Sequence, residues 1–352
     1  MKILALGDTH LGLFKGRTKE ARHAYARYCH RQFQFVIDEA IRQQVDLVIH
    51  TGDVFNRSAP PAWILGQYYQ TIERALSAGI AVAVIPGNHD KSEINPSLLD
   101  YFYPDYHLFN SIQSVEFDEF QLIGLPYQSH DLELVMDKIY EMSGNLSKPT
   151  IIITHQLFRG ATFGPHQFSF SSQDNVIDTT VPDNVLIISG HIHRAQVLAT
   201  GQVIYTGSTV RASFVEIIEP KGYLMIEFDR HSININFVEI PTKPMKIIEI
   251  DGRLPDPDQI DLMLANTDPD AEILLRLIHS YDTTTLKQQL LATYPADSWP
   301  YLSIHDGGPD TRLRPVYSTY SDQFHFPTYH LSWQPLITSF QNTAHNVQHN
   351  QD

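Results

Sequence analysis

Short apolar runs recur along the first part of the chain: Ile3–Leu6, Val45–His50, Ile80–Ile85, Gln121–Leu125, Thr150–Thr154 and Val185–Ile188. Each is short and rich in β-branched or leucine residues, the pattern of a strand buried on both faces. Between the first three lie two longer stretches of helical pattern, Lys19–Gln43 and Ala62–Ser77. The second opens after Pro60-Pro61 and closes at Gly79, where a helix start and a helix end are expected. Buried strands alternating with helices predict an α/β layered fold. After Gly201 the texture changes to short strands, Val203–Thr206, Gly222–Asp229 and Ile233–Ile240, which predict an antiparallel sheet edge.

A boundary is expected near Pro241-Thr-Lys-Pro244. Beyond it the pattern reads strand Met245–Ile250, helix Asp258–Asn266, strand Glu272–Ile278 and helix Thr283–Thr293. The chain is therefore expected to divide into a catalytic domain at 1–240, a small second domain at 241–306, and a C-terminal extension at 307–352. Its last residues, Gln341–Asp352, are polar and expected to be disordered. There is no internal repeat and no low-complexity tract.

Composition changes this picture little. A chain of 352 residues with 42% hydrophobic and 11% aromatic content accommodates one full-sized catalytic domain and a smaller one. No apolar run approaches the roughly 18–20 residues of a membrane span. The opening strand is too short for a signal peptide. A single cysteine, Cys29, makes no internal disulfide and is expected to pack a helix, which points to a reducing, cytoplasmic setting. The net charge of −15 weighs against a duplex-binding protein. Two divalent metals would add about four positive charges where the carboxylates are counted.

The chemistry lies at the strand ends. The first strand runs into Gly7-Asp8-Thr9-His10, the second into Gly52-Asp53-Val54-Phe55-Asn56, and the third into Gly87-Asn88-His89-Asp90. Later come Thr154-His155 and Gly190-His191-Ile192-His193-Arg194. In open α/β folds ligands bind at the C-terminal ends of strands, so these clusters are expected to converge. In an extended segment residues i and i+2 point the same way, so Asp8 and His10 reach one site together, as do His191 and His193. A glycine at the start of four of these clusters, Gly7, Gly52, Gly87 and Gly190, is expected to let the backbone turn tightly. A set of carboxylates, imidazoles and an amide without thiolate suits manganese, iron or zinc better than calcium. Two carboxylates among four imidazoles suggest two metals sharing one carboxylate. A lone Asp or His in such a place is more often a turn or packing residue, but five clusters of ligand-type residues point to function.

The order GDTH, GDVF, GNHD, TH and GHIH resembles the calcineurin-like metallophosphoesterase superfamily. The opening GDTHLG, the stretch GDVFNRSAPP, and GHIHRAQ followed by YTGSTVRASFVE and KGY look like the SbcD nuclease family, over residues 1–240 and more weakly over 245–305. The resemblance implies a two-sheet metallophosphoesterase sandwich flanked by helices, with a small α+β capping domain. It implies that Asp8, His10, Asp53 and His193 hold one metal and that Asp53, Asn88, His155 and His191 hold the other, with manganese favoured. A water whose pKa the metals lower would attack phosphorus in line with the leaving oxygen. His89 would stabilise the transition state or protonate that oxygen, Asp90 would orient His89, and Arg194 would contact phosphate. The family's archaeal and eukaryotic members carry histidine three residues after the bridging Asp. Here that position is Asn56, as bacterial members also lack the histidine. The implied activity is hydrolysis of DNA phosphodiester bonds by an exo- or endonuclease of DNA repair, with an SMC-like ATPase of the SbcC type as partner.

Three further stretches bear on partners. Residues 15–31 hold Lys15, Arg17, Lys19, Arg22, Arg27 and Arg31 against Glu20 alone. This run either flanks the site and binds DNA phosphates, through Arg17 and Lys19 first, or is a solvated helix face. The helix at 62–77 carries more apolar surface than one stripe needs. Part of it, with Leu98, Leu99, Tyr101 and Phe102, is a candidate homodimer seam, as helices in this region are in the family. Tyr329–Phe340 either docks on the ATPase or folds back on its own domain. Two rival readings use the same residues: a phosphoesterase for a small nucleotide or other small phosphodiester, and a non-catalytic adaptor.

Overall fold

In the computed structural model, strand β1 (Lys2–Leu6) runs parallel to β2 (Leu47–His50), β2 to β3 (Ala81–Val84), and β3 to β4 (Tyr106–Leu108). The structure describes residues 1–91, 98–133, 136–137, 140–141, 148–165, 167–170, 176–177, 181–198, 201–228, 232–251, 257–278, 283–306 and 329–332. Helices α1 (Lys19–Arg42) and α2 (Ala62–Ser77) are the first two crossovers. Thr18 starts α1 by accepting the Ala21 N–H at 3.0 Å, which satisfies a donor the first turn leaves unpaired. Its residues Tyr25, Cys29, Phe33, Val36 and Ala40 recur at helical spacing and are buried. Gly79 follows α2 with φ +81°, the left-handed conformation in which helices commonly end.

A second sheet carries β5 (Gln113–Glu116), β6 (Gln121–Leu125) and β7 (Thr150–Thr154). Four two-residue strands follow: β8 (Leu157–Phe158), β9 (Thr162–Phe163), β10 (Phe168–Ser169) and β11 (Val176–Ile177). Then β12 (Val185–Ser189), β13 (Gln196–Val197) and β14 (Val203–Tyr205) complete the second sheet. Strands β15 (Gly222–Phe228) and β16 (Ser232–Glu239) return to the first sheet, antiparallel to β1 and to each other. The expected antiparallel edge therefore divides. Val203–Tyr205 is parallel to β12 on one side and antiparallel to the edge strand β13 on the other, while the two later strands run antiparallel in the first sheet.

The sheets face each other across a core that includes Ile3, Ala5, Ile49 and Ala83 from one and Leu122, Ile151, Ile153 and Ile188 from the other. The outer face of the first sheet packs on α1 and α2 through Leu4, Leu6, Val48, Phe33 and Tyr68. Strands buried on both faces explain the unbroken apolar runs. Each fully buried Leu or Ile contributes roughly 1.5–3 kcal/mol, so this double burial holds the strand ends firmly.

Beyond residue 240 a three-stranded parallel sheet forms from β17 (Met245–Asp251), β18 (Glu272–Ile278) and β19 (Leu302–Asp306). Helices α3 (Pro257–Ala265) and α4 (Thr283–Thr293) join them, so this unit alternates strand and helix throughout. Strand β19 was not evident in the hydrophobic pattern. Strand β20 (Tyr329–Ser332) pairs with β16, so this part of the C-terminal stretch folds back and covers a sheet edge. Trp333–Phe340 and Gln341–Asp352 lie outside the described residues. Among the described residues no helix is long and apolar enough to cross a membrane.

The start of the basic segment, Lys15 and Arg17, joins these parts. Lys15 Nζ pairs with Glu272 Oε2 at 2.7 Å and donates to the Arg211 carbonyl at 3.0 Å. Tyr25 donates to Glu272 Oε1 at 2.7 Å, and Tyr301 to the Ala21 carbonyl at 3.1 Å. Glu272 is only 4% exposed. Replacing Lys15 by Met should therefore leave a buried carboxylate without its cation and cost about 3 kcal/mol. Urea unfolding of the purified variant measures this; a loss below about 0.5 kcal/mol, ordinary for surface positions, would show that the pair is not structural.

Candidate metal centre

The expected ligands sit at the ends of neighbouring parallel strands. Asp8, Asp53 and Asn88 follow β1, β2 and β3, which are adjacent in the first sheet. His155 follows β7, and His191 and His193 follow β12, its neighbour in the second sheet. Stacking the two sheets brings both rows of ends to one place.

The backbone there is not extended. Asp8, His10, Asp53 and His191 have φ of 49°, 43°, 51° and 82°, the left-handed region that side chains other than glycine rarely adopt. Asp8 and His10 thus meet because both turn left-handed, and not because a pleat aligns i and i+2. Such residues cost about 1–2 kcal/mol each and persist where neighbours over-determine them. Here Asp8 N–H donates to the Gly52 carbonyl and His10 N–H to the Asp53 carbonyl, both at 3.0 Å. Of the glycines before the clusters, only Gly52 uses a positive φ, +95°. Gly87 and Gly190 serve close approach instead: a Cβ would lie 2.2 Å from Asp53 Oδ1 and 2.4 Å from the Thr51 carbonyl, respectively.

All seven side chains converge. His10 Nε2 lies 3.0 Å from His193 Nε2, and His193 Nε2 lies 3.7 Å from Asp8 Oδ1. His155 Nε2 and His191 Nδ1 reach the same atom, Asn88 Oδ1, at 3.1 and 3.0 Å. Asp53 Oδ2 stands between the two groups, 3.8 Å from His10 Nε2 and 3.4 Å from His155 Nε2. Donor atoms of Asp8, His10 and His193, of His10, Asp53 and His89, and of Asp8, Asp53 and His155 each lie within 4.8 Å of one another. Facing imidazole nitrogens, an amide oxygen and two buried carboxylates form a donor set that fits divalent metals.

Charge is held unevenly. Burial opposes a charge on His155, but Asp53, Asp8 and the Thr51 carbonyl outweigh it and raise this imidazole to about 9. His193 is likewise raised to about 8, burial being outweighed by Glu216 and Asp8. Burial and the neighbouring imidazoles lower His10 and His191 to about 3. Burial lifts Asp8 to about 6, against the pull of His155 and His193. For Asp53, burial loses to His155, His10 and the His89 N–H, and the carboxyl stays well below its usual range.

His89 lies beside the cage. Its N–H donates to Asp53 Oδ1 at 2.8 Å, its Nδ1 faces the Asn56 carbonyl at 3.0 Å, and its side chain is 42% exposed. Asp90 does not orient His89 as expected. Its carboxylate accepts the backbone N–H groups of Val54, Phe55 and Gly87 at 3.0, 2.8 and 2.9 Å, and so holds two ligand loops together. Burial and the charge of Asp53 raise Asp90 to about 7 against these three donors. Asn56 approaches the site through its carbonyl. Arg194 lines a cavity of about 420 Å³ next to His191 and His193 and donates to the Gly164 carbonyl at 3.5 Å. Lys19 is exposed at the start of α1. Arg17, expected to meet phosphate, instead donates to the carbonyls of Leu291, Tyr294 and Trp299, because the second unit packs over it.

Two residues escaped the sequence reading. Glu216 Oε1 lies 3.2 Å from His193 Nδ1, and the wholly buried Lys221 pairs with Glu216 Oε2 at 2.8 Å. Both stand inside the stretches YTGSTVRASFVE and KGY, which resembled a family without suggesting a role.

Residues 1–195 match the model of the Calcineurin-like phosphoesterase family, more than half of the 352-residue chain, and the protein belongs to that family. Among its relatives, DNA double-strand break repair protein Mre11 of Haloferax volcanii is 25% identical over 259 residues, 71% of this chain and 54% of that protein. A subunit of the nuclease SbcCD from Staphylococcus epidermidis is 24% identical over 279 residues, 71% of this chain and 72% of that protein. The match thus spans about half the length of the first relative. Among solved structures, a dimetal phosphatase from Danio rerio aligns over 68% of this chain and 96% of its own, at 13% identity and a TM-score of 0.46.

Metal must displace the protons that His155 and His193 hold. Because both are raised, to about 9 and about 8, apparent metal affinity should climb with pH through that range and level off only above about 9. Calorimetric manganese titrations at pH 6.5, 7.5 and 9 test this; affinity that is flat above pH 7, as for ordinary imidazoles, would contradict it. Asp90→Asn places an amide against three N–H donors. It should lower stability by about 2 kcal/mol and weaken metal binding at least tenfold, read from thermal melts and the same titration.

Proposed function

We propose that this chain is a two-metal phosphodiesterase that hydrolyses DNA, a manganese-dependent nuclease of the SbcD type. The observation that carries the reading is the paired donor set sharing Asp53: Asp8, His10 and His193 on one side, Asn88, His155 and His191 on the other. Each group, with Asp53, would hold one metal. Bound there, two divalent cations lower the pKa of the attacking water and neutralise charge on the phosphoryl oxygens. The named relatives, a DNA break-repair protein and a nuclease component, support DNA as the substrate.

The protein's own groups complete the chemistry. The Asn56 carbonyl requires a proton on His89 Nδ1, so Nε2 carries one only in the imidazolium form. That form donates to the leaving oxygen, and the exposed ring stands where a substrate can reach it. Asp90 keeps the Gly52–Asn56 and Gly87–Asp90 loops at fixed spacing. Arg194 lines the adjoining cavity and contacts phosphate.

The wider assignments follow the same reading. Residues 1–240 are the catalytic domain, 241–306 a capping domain and 307–352 an extension whose part beyond β20 engages an SMC-like ATPase. Phe102, fully exposed, forms part of a homodimer face with the apolar surface of α2, whereas Leu99 is buried at 3% exposure and packs the core instead. The setting is cytoplasmic. One observation favours the small-phosphodiester alternative: the net charge is −15, and Lys15 and Arg17 are already committed to internal partners.

End-labelled duplex and single-stranded DNA, incubated with manganese, should be degraded by the wild type and at least 100-fold more slowly by His89→Ala, the scale of a lost general acid. Turnover of bis(p-nitrophenyl) phosphate without any DNA cleavage would move the assignment to a small phosphodiester. Inactivity on both would sink the catalytic reading.

A further inference from the structure

We infer that Glu216, braced by the buried ammonium of Lys221, is the positioning residue of His193: it fixes which ring nitrogen carries the proton and so sets the affinity of one of the two metals but not the other. This rests on the two-metal reading of the cage.

The geometry is specific. Glu216 Oε1 lies 3.2 Å from His193 Nδ1, while Nε2, across the ring, lies 3.0 Å from His10 Nε2 and 3.7 Å from Asp8 Oδ1. A carboxylate only accepts, so in the neutral ring Nδ1 must be the N–H and Nε2 keeps its lone pair for a cation. A carboxylate behind a ligating imidazole fixes its orientation and raises its basicity.

Lys221 explains why Glu216 stays in place. Its side chain is 0% exposed, a rare state for lysine. Its three donors meet three acceptors: Glu216 Oε2 at 2.8 Å, Glu219 Oε2 at 3.1 Å and the His193 carbonyl at 2.8 Å. Lys221 therefore grips His193 twice, directly at the main chain and through Glu216 at the ring. Ser213 Oγ and the Ala212 N–H complete the coordination of Glu216, at 3.3 and 3.2 Å. A buried ion pair seldom adds net stability over an apolar replacement, which favours a positional role for this one.

The other three imidazoles are held differently. His155 Nδ1 meets the neutral Thr51 carbonyl at 2.7 Å, whereas His191 turns its Nδ1 into the cage, 3.0 Å from Asn88 Oδ1. His10 Nδ1 has no partner among the described residues. The anionic brace thus serves only the metal held by Asp8, His10, Asp53 and His193, which makes the two sites unequal.

The test uses full-length, metal-free protein titrated with manganese and followed by the electron paramagnetic resonance of the free ion. Wild type should bind two equivalents. In Glu216→Gln one equivalent should weaken 10- to 100-fold, the range for lost outer partners of metal ligands, and the other should stay within about threefold. Long-range proton–nitrogen NMR of the metal-free wild type at alkaline pH should show His193 protonated at Nδ1, and the variant should drift toward the mixture of free imidazole. Two wild-type equivalents in a folded Glu216→Gln, or an Nε2–H tautomer in the wild type, would overturn the proposal. If the variant does not fold, the wild-type tautomer still decides. A wild type that binds no manganese would instead overturn the cage reading, and the NMR result would judge Glu216 separately.

Discussion

The carboxylate of Asp53 is the charge around which the centre is arranged. It is 3% exposed, accepts the His89 N–H, and stands within 4 Å of both His10 and His155. A buried anion is costly unless neighbours compensate it. Here the compensation comes from imidazoles that belong to two different sheets. The left-handed backbone at Asp53, the open space left by Gly87 and the grip of Asp90 on the following N–H groups all follow from placing that one group. Strain at four ligand positions is tolerable because strands buried on both faces hold their ends rigidly.

Around this point the molecule builds outward by supporting shells. Thr51, just before Gly52, lends its carbonyl to His155. Glu216 and Lys221, on the segment that returns the chain to the first sheet, back His193 from the opposite side. Lys15 and Arg17, directly after the first ligand loop, are tied to the second unit through Glu272 and three carbonyls. Any displacement of that unit would be felt within a few residues of His10. The positive charge that looked available to a polyanion is thereby partly consumed inside the protein. Lys19, Arg22, Arg27 and Arg31 remain exposed on α1.

How much could be read in advance follows from the range of the forces involved. Apolar runs and helical stripes are local, so the main strands and helices were legible to within two residues, as were the five polar clusters at strand ends. Strands such as Gln113–Glu116 and Leu302–Asp306 were not, because pairing with a neighbour stabilises them more than their own pattern does. Asp90 was legible as a member of the site but not in its role, since its partners Val54 and Phe55 lie some 35 residues away.

What the sequence determined by itself was the donor inventory, two carboxylates, four imidazoles and an amide, together with the strands that carry them. Those properties reside in residue type and local periodicity. Only the tertiary structure decided that Asp8 and His10 meet through left-handed turns, that Arg17 faces carbonyls, and that Glu216 and Lys221 stand behind His193. Each depends on contact between segments remote along the chain, and burial sets the cost or gain of such contacts. Burial is a property of the packed molecule, which no single stretch of sequence carries.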